Sequence, residues 1–262
     1  MSDPLITLTT DFGTSDHFAG AMKGVIASIA PKARVIDISH DVAAYDITQA
    51  GFVIAQAWQC FPKGTIHVVV VDPGVGSARR PILVEAGGQY FIGPDNGVFS
   101  LVYEAGAHKV RAITNAKVFR KNVSRTFHGR DVFAPAAAHL AKGMKAAQFG
   151  KIIHDEVRSW SAQPEKSAKG VWRGSILKVD RFGNLITNFH IDRFDDVKTH
   201  AFELRAAKER IHRLALTYSE TEIGEMFVIV GSAGYLEIAA NQASAAARLG
   251  FSAGAPIELE IY

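Results

Sequence analysis

The sequence predicts an α/β N-terminal domain with a central, largely parallel sheet, followed by a smaller β-barrel-like C-terminal domain. Three observations carry this expectation. Short, apolar, β-branched runs such as Ile66 to Val71 read as strands buried on both faces of a parallel sheet. Strands alternate with helical spacing up to about residue 150. Beyond a polar stretch, Ser159 to Gly170, the texture changes to short strands with little at helical spacing. The domains are therefore placed at 1–165 and 171–262.

Taken in order, Pro4 to Thr10 is a first strand that ends at Asp11-Phe12-Gly13. Ser15 or Asp16 can N-cap the next helix, whose apolar residues Phe18, Met22, Val25, Ile26 and Ile29 keep helical spacing. Ala33 to Ile38 is a second strand, and Asp46 caps a helix running to about Cys60. The strand from Ile66 then delivers Asp72. Pro73, Gly74 and Gly76 turn the chain sharply, close enough for Arg79 to fold back beside the carboxylate. Ligands of open α/β sheets bind outside the carboxyl ends of the strands, so this spacing reads as a site. It is neither a dinucleotide fingerprint, since the third glycine is missing, nor a phosphate loop, since the Gly-Lys-Ser/Thr ending is missing.

Ile82 to Glu85 and Tyr90 to Ile92, separated by Gly87-Gly88, form a hairpin. Gly93-Pro94-Asp95-Asn96-Gly97 starts another helix, and His108 to Ile113 is a further strand. Asp131 is placed to N-cap the alanine-rich helix Val132 to Ala141, with His128 just upstream. In the second domain the strands are Val171 to Val179, Leu185 to Phe189, Ala201 to Leu204, Phe227 to Val230, Tyr235 to Ile238 and Ile257 to Tyr262. Asp180 and Asn184 flank a glycine turn. They form either an Asx-type hairpin or a pair of ligand contacts. Ser232-Ala233-Gly234 is a second small-residue loop beside a strand.

The bulk properties exclude several classes. The hydrophobic fraction of 48% and charged fraction of 21% are those of an ordinary globular protein. A formal charge of +3 over 262 residues, with no block of about five like charges, gives nucleic-acid binding no support. The single cysteine, Cys60, cannot form an internal disulfide, and its neighbours Trp58 and Phe61 point to packing in a reducing compartment. No apolar run approaches the length needed to span a bilayer. A cytoplasmic enzyme or binding protein is the default, with no membrane partner.

Several motifs occur in a fixed order: Thr10-Asp11-Phe12-Gly13, Val71 to Gly76 with Arg79, Gly93 to Gly97, Phe127-His128-Gly129-Arg130-Asp131, Asp180 to Asn184, and Ser232 to Ala239. In that order the chain resembles the S-adenosylmethionine hydroxide adenosyltransferases, hydrolase relatives of the bacterial fluorinase and chlorinase. The resemblance implies an α/β domain followed by a β-barrel, and a homotrimer with the ligand at the subunit interface. It implies a catalytic trio of Asp72, Arg79 and His128 that handles water or hydroxide. It implies that Asp11 grips the ribose hydroxyls and that Tyr45 lies against the sugar. Asp180 and Ser232 would hold the methionine end, Asp16 would lie near its amino group, and Asn184 with the backbone around Asn241-Gln242 would meet the adenine.

The departures from the halogenases matter. Asp72 and Val75 stand where the halogenases carry a tyrosine and a threonine or similar small polar group near the halide. Gly129 stands where the fluorinase has a serine. A carboxylate in a poorly solvated site repels a halide by several kcal/mol. Ala233 replaces an arginine directed at the substrate carboxylate. The implied reaction is hydrolysis of S-adenosyl-L-methionine to adenosine and L-methionine by in-line attack at ribose C5′. It would need no metal and no cofactor, S-adenosylmethionine being the substrate. The alternatives are a binding module for S-adenosylmethionine or adenosine without turnover, a halogenase, and a metal-dependent hydrolase. The last lacks any H-E-x-x-H or paired-cysteine spacing.

Overall fold

A computed structural model of the chain describes residues 3–159 and 163–262, and the chain divides into two compact units between residues 159 and 160. Residues 160–162 of the polar stretch lie outside the described residues.

The first unit runs β1 (Leu5–Thr10), α1 (Phe18–Ile29), β2 (Arg34–Ser39), α2 (Ile47–Ala57), β3 (Ile66–Val70), β4 (Pro81–Ala86), β5 (Gln89–Pro94), α3 (Ser100–Glu104), β6 (His108–Ala112), α4 (Ala134–Ala141) and β7 (Ile152–Ile153). Its seven strands lie in the order β2-β1-β3-β5-β4-β6-β7. The strands β2, β1, β3 and β5 are mutually parallel, whereas β4 is antiparallel to β5 and β6, and β6 to β7. The sheet is therefore mixed, parallel over half its pairings rather than over most of them. The reason is local. Gly87 and Gly88 both adopt positive φ, 57° and 78°, and reverse the chain in a tight hairpin that only antiparallel strands can use.

Every residue of β3 is buried, because both faces of the sheet are covered. Ile66, Val68 and Val70 pack with Met22 and Ile26 of α1 and the alanines of α4, while Val69 and Val71 pack with Ile54 of α2 and Val98. The small side chains Ala134, Ala136, Ala137 and Ala138 are all buried and bring α4 close to α1.

Four local expectations are corrected. α1 starts after His17 with no side-chain cap, so neither Ser15 nor Asp16 caps it. Asp131 does not cap α4: it lies inside a π-helical turn, Gly129–Phe133, where arginine side chains claim its carboxylate. α3 begins at Ser100, three residues past the Gly93–Gly97 motif expected to start it, and Asn96 within the motif donates to the Val71 carbonyl at 2.9 Å. Cys60 is exposed rather than packed. Asp46 does cap α2, accepting from the Gln49 N–H at 2.8 Å.

The second unit runs β8 (Glu165–Ala168), β9 (Val171–Val179), β10 (Leu185–His190), β11 (Phe202–Ala206), β12 (Glu209–Ile211), β13 (Leu214–Ala215), β14 (Met226–Val230), β15 (Tyr235–Ala240), α5 (Ala245–Leu249) and β16 (Pro256–Ile261). Nine strands pair in the order β12-β11-β16-β9-β10-β15-β14-β13, with β8 on β9. The long strand β9 bends the sheet: residues 171–175 pair with β16 and residues 176–179 with β10. Gly174 lies at the change of partner, and a Cβ there would fall 2.6 Å from the Phe189 ring. Inward side chains from strands along the whole path, including Ile211, Leu259, Leu185 and Val228, meet in one core. The unit is a curled half-barrel. Among the described residues, no helix of the chain is long and apolar enough to cross a membrane.

Candidate active site

The parallel register that pairs Thr10 with Val70 brings the ends of β1 and β3 to one sheet edge, and with them Asp11 and Asp72. The loop after Asp72 closes in two tight turns, Val75 N–H to the Asp72 carbonyl and Ser77 N–H to the Gly74 carbonyl, each at 3.1 Å. Gly76 has φ 78°, and a side chain there would also collide with the Arg125 carbonyl, so the turn requires glycine.

Arg79 returns to Asp72 as the spacing predicts. Its Nε donates to Asp72 Oδ1 at 2.9 Å and its Nη2 to Oδ2. Nη2 also donates to His128 Nδ1 at 2.7 Å. The side chains of Arg79 and Asp72 are only 9% and 5% exposed, and the guanidinium stacks 5.1 Å from the Phe133 ring centre. All three members of the trio are in mutual reach through Arg79.

His128 precedes the π-helical turn, whose geometry is tied down from inside. Asp131 is wholly buried and accepts from Arg130 Nε at 2.7 Å, Arg120 Nη1 at 3.1 Å and the Ser124 N–H at 2.9 Å. Burial, then the positive charge of Arg79, holds the His128 imidazolium below its usual range, while Asp72 and Asp131 pull the other way. The ring is thus neutral near pH 7. A guanidinium can only donate, so Nδ1 supplies the lone pair and the ring proton resides on Nε2.

Asp72, Val75, His128 and Gly129 line one cleft of about 290 Å3 together with Asp11 and Tyr45. Asp11 Oδ2 accepts the Tyr45 N–H at 2.9 Å, and the Tyr45 ring is 72% exposed. Asp16 is exposed in the turn before α1 and is not among the lining residues. Among the described residues, no group of three or more His, Cys, Asp or Glu side chains is placed to hold a metal ion.

The second unit has its own cleft, of about 900 Å3, and it brings together Asp180, Asn184, Ser232, Asn241 and Gln242. Asp180 does close an Asx turn: its Oδ1 accepts from the N–H groups of Phe182 and Asn184 at 2.8 and 2.9 Å. Its Oδ2 accepts from Asn184 Nδ2 at 2.9 Å, which also reaches the Tyr218 hydroxyl at 3.3 Å. The Asn241 side chain donates to the Thr221 carbonyl at 2.6 Å, so it shapes the cleft wall. Two lining residues escape sequence reasoning. Tyr218 lies in a loop with no pattern, and Glu237 occupies a strand position where alternation alone predicts a solvated carboxylate.

Fold and sites together define a two-unit α/β protein with a small-molecule cleft in each unit. Residues 6–150 match the family model described as SAM hydroxide adenosyltransferase N-terminal domain, and residues 174–258 match its C-terminal domain. The (R)-S-adenosyl-L-methionine hydrolase of Salinispora tropica is 38% identical, over 96% of this chain and 95% of that protein. A fluorinase of an Actinoplanes species is 28% identical over 96% of each. The crystal structure of an uncharacterized conserved protein from Thermotoga maritima superposes with a TM-score of 0.89 at 35% identity, covering 97% of this chain and 99% of that one. The chain belongs to the SAM hydroxide adenosyltransferase family.

Proposed function

We propose that the chain hydrolyses S-adenosyl-L-methionine to adenosine and L-methionine. The observation that carries this reading is that Asp72 and His128 line one cleft with Asp11 while Arg79, outside the cleft lining, bonds to both of them. The C5′–S bond breaks with its electron pair going to sulfur, so a neutral thioether leaves and no general acid is needed. The C5′–O bond forms from water, which loses one proton. What the protein must supply is an aligned water and a place for that proton.

With Nδ1 taken up by Arg79, His128 offers its Nε2–H and orients the water as a donor. Asp72 keeps lone pairs on both oxygens after accepting from Arg79, and is the acceptor for the water proton. Arg79, permanently charged, locks the carboxylate and stabilises hydroxide character. Alignment of this kind contributes roughly 7–11 kcal/mol. Asp11 takes the ribose hydroxyls and Tyr45 lies against the sugar. Asp180 and Ser232 serve the methionine end, and Asn184 with the backbone at Asn241 and Gln242 serves the adenine. The protein works as a cytoplasmic homotrimer with no added cofactor.

The name of the Salinispora relative specifies one stereoisomer. Since "L" fixes the amino-acid carbon and "adenosyl" the ribose, "(R)" designates the sulfonium, and we extend that preference to this chain. The test is turnover of each sulfonium epimer in heavy-oxygen water, with mass analysis of the nucleoside. Label in adenosine, with faster turnover of the (R) epimer, is expected. Tight binding without adenosine formation overturns the hydrolase reading, and a 5′-halo-nucleoside formed in chloride or fluoride at a comparable rate overturns the choice of water.

A further inference from the structure

Glu237 sits in the middle of β15, paired with Ile186 of β10 on one side and Ile229 of β14 on the other. Its chain neighbours Leu236 and Ile238 enter the core enclosed by the sheet, so the alternation of a strand turns Glu237 to the opposite face. There it lines the larger cleft while remaining only 8% exposed. Space for its carboxyl is made by Gly231, where any side chain would collide with it.

The two acids of this cleft differ in how they are satisfied. Asp180 is engaged at both oxygens by the Asx turn and by Asn184. Glu237 has no hydrogen bond or ion pair among the described residues. The titratable groups that face it are Asp180, from the turn after β9, and Tyr218, from the loop before β14. β10 and β14 flank it with isoleucines, and among the described residues no lysine, arginine or histidine lines the cleft. Glu237 is more than nine-tenths buried as a residue and its carboxyl opens onto the cleft without a protein donor, so a ligand seated there is placed to supply one.

The chemistry of that ligand group follows from the surroundings. A neutral donor, such as an exocyclic amine of a base, is served adequately by an amide oxygen or a backbone carbonyl. A carboxyl already disfavoured as an anion by burial and by Asp180 gains most from a cation that brings its own N–H donors. A sulfonium has none; an α-ammonium has three. We propose that Glu237 binds the ammonium group at the amino-acid end of the substrate, beside Ser232, and so selects ligands that carry one. This assignment rests on the hydrolase reading for the identity of the substrate. Burial first, then Asp180, raises the Glu237 carboxyl to about 7, so uptake of an ammonium near neutral pH ionises it and releases a proton.

The experiment is a two-by-two comparison by calorimetry on the full chain. L-methionine and its deaminated analogue, methylthiobutanoate, are titrated into the native protein and into E237Q, with adenosine as a control. The native protein should prefer methionine by at least about tenfold, and E237Q should bring that ratio close to one while binding adenosine within about twofold of native. Methionine binding near pH 7 should release protons, read from two buffers of different ionisation enthalpy, and E237Q should abolish the release. An unchanged ratio in E237Q, or no preference in the native protein, overturns the assignment. Equal weakening of methionine, analogue and adenosine also overturns it, since that marks a structural role. Turnover of S-adenosyl-L-methionine by the native protein, measured alongside, keeps the two readings apart. Turnover with an unchanged ratio removes Glu237 alone; a collapsed ratio without turnover removes the hydrolase reading alone.

Discussion

The backbone N–H of Tyr45 donates to Asp11 Oδ2 at 2.9 Å from a left-handed conformation, φ 68°. A non-glycine residue in that region costs on the order of 1 kcal/mol or more, so the Asp11 carboxylate holds a strained loop in place. The same acid that would take the ribose hydroxyls therefore also sets where the Tyr45 ring projects from the surface.

Replacing Asp11 by alanine should act twice. It removes the acceptor for the sugar and releases residues 43–46 from their strained arrangement. We expect adenosine affinity to fall by about tenfold or more, with faster amide exchange confined to that loop. Calorimetry and hydrogen exchange on the same variant are the check. Normal adenosine binding would remove Asp11 from the nucleoside site.

Substitutions in the trio should divide differently. Asp72→Asn, Arg79→Lys and His128→Ala should each leave the bulk of the cleft intact while impairing the proposed handling of water. We expect kcat to fall by about a hundredfold or more, with adenosine affinity within a few fold of native. Lysine at residue 79 is not conservative, because one ammonium cannot reproduce the Nε and Nη2 contacts to Asp72 and the contact to His128 at once. Steady-state kinetics beside calorimetry separates the two quantities.

The pH profile follows from His128. The neutral ring accepts from Arg79, and protonating Nδ1 would set two donors against each other. Activity should therefore be lost on the acid side, with a midpoint below the ordinary histidine value of about 6.5. Asp131 pulls that midpoint up, so Asp131→Asn should move the acid limb to still lower pH if the fold survives. A shift to higher pH in this variant would contradict the electrostatic account.

A second histidine should govern acid stability. His67 is wholly buried in β3: Nδ1 accepts from the Thr7 hydroxyl at 2.7 Å and Nε2 donates to Gln89 Oε1 at 2.6 Å. The direction is set by Gln89, whose amide nitrogen donates to the carbonyls of Trp58 and Phe61, each at 3.1 Å. Burial lowers this imidazolium to about 4. Between pH 6.5 and 4 the unfolded chain takes up a proton that the folded one refuses, so stability falls as pH falls. The loss from this group amounts to roughly 3 kcal/mol across that window. Urea unfolding read by amide exchange in β3 should show the slope, and His67→Leu should flatten it while lowering stability at neutral pH.

Legibility in the sequence followed locality. Asp72 and Arg79 could be paired from seven residues of spacing, because the glycines between them leave the loop few other ways to close. His128 could be joined to them only through family resemblance, since no local rule links residues 79 and 128. Asp131 shows a local rule overruled: it sits where a cap belongs, but Arg120 and Arg130 satisfy its carboxylate from outside the helix end. Apolar strands alone suggest a largely parallel sheet, whereas the Gly87-Gly88 hairpin makes it mixed by forcing β4 antiparallel to β5. Glu237 stayed hidden because strand alternation tells which face a residue takes, and not whether that face is covered.

The cleft in the first unit and the one in the second are each built from a separate stretch of chain, residues 11–129 and 180–244. The positions that the sequence resemblance sets apart from a halide site, Asp72, Val75 and Gly129, all fall in the first stretch, and Ala233 falls in the second. Under the function proposed above, the choice of nucleophile and the grip on the amino-acid end, where Ala233 also departs, are carried by different folding units and can change separately. A fluorinase sharing 28% of residues over 96% of the chain is the kind of cousin such a division of labour leaves behind.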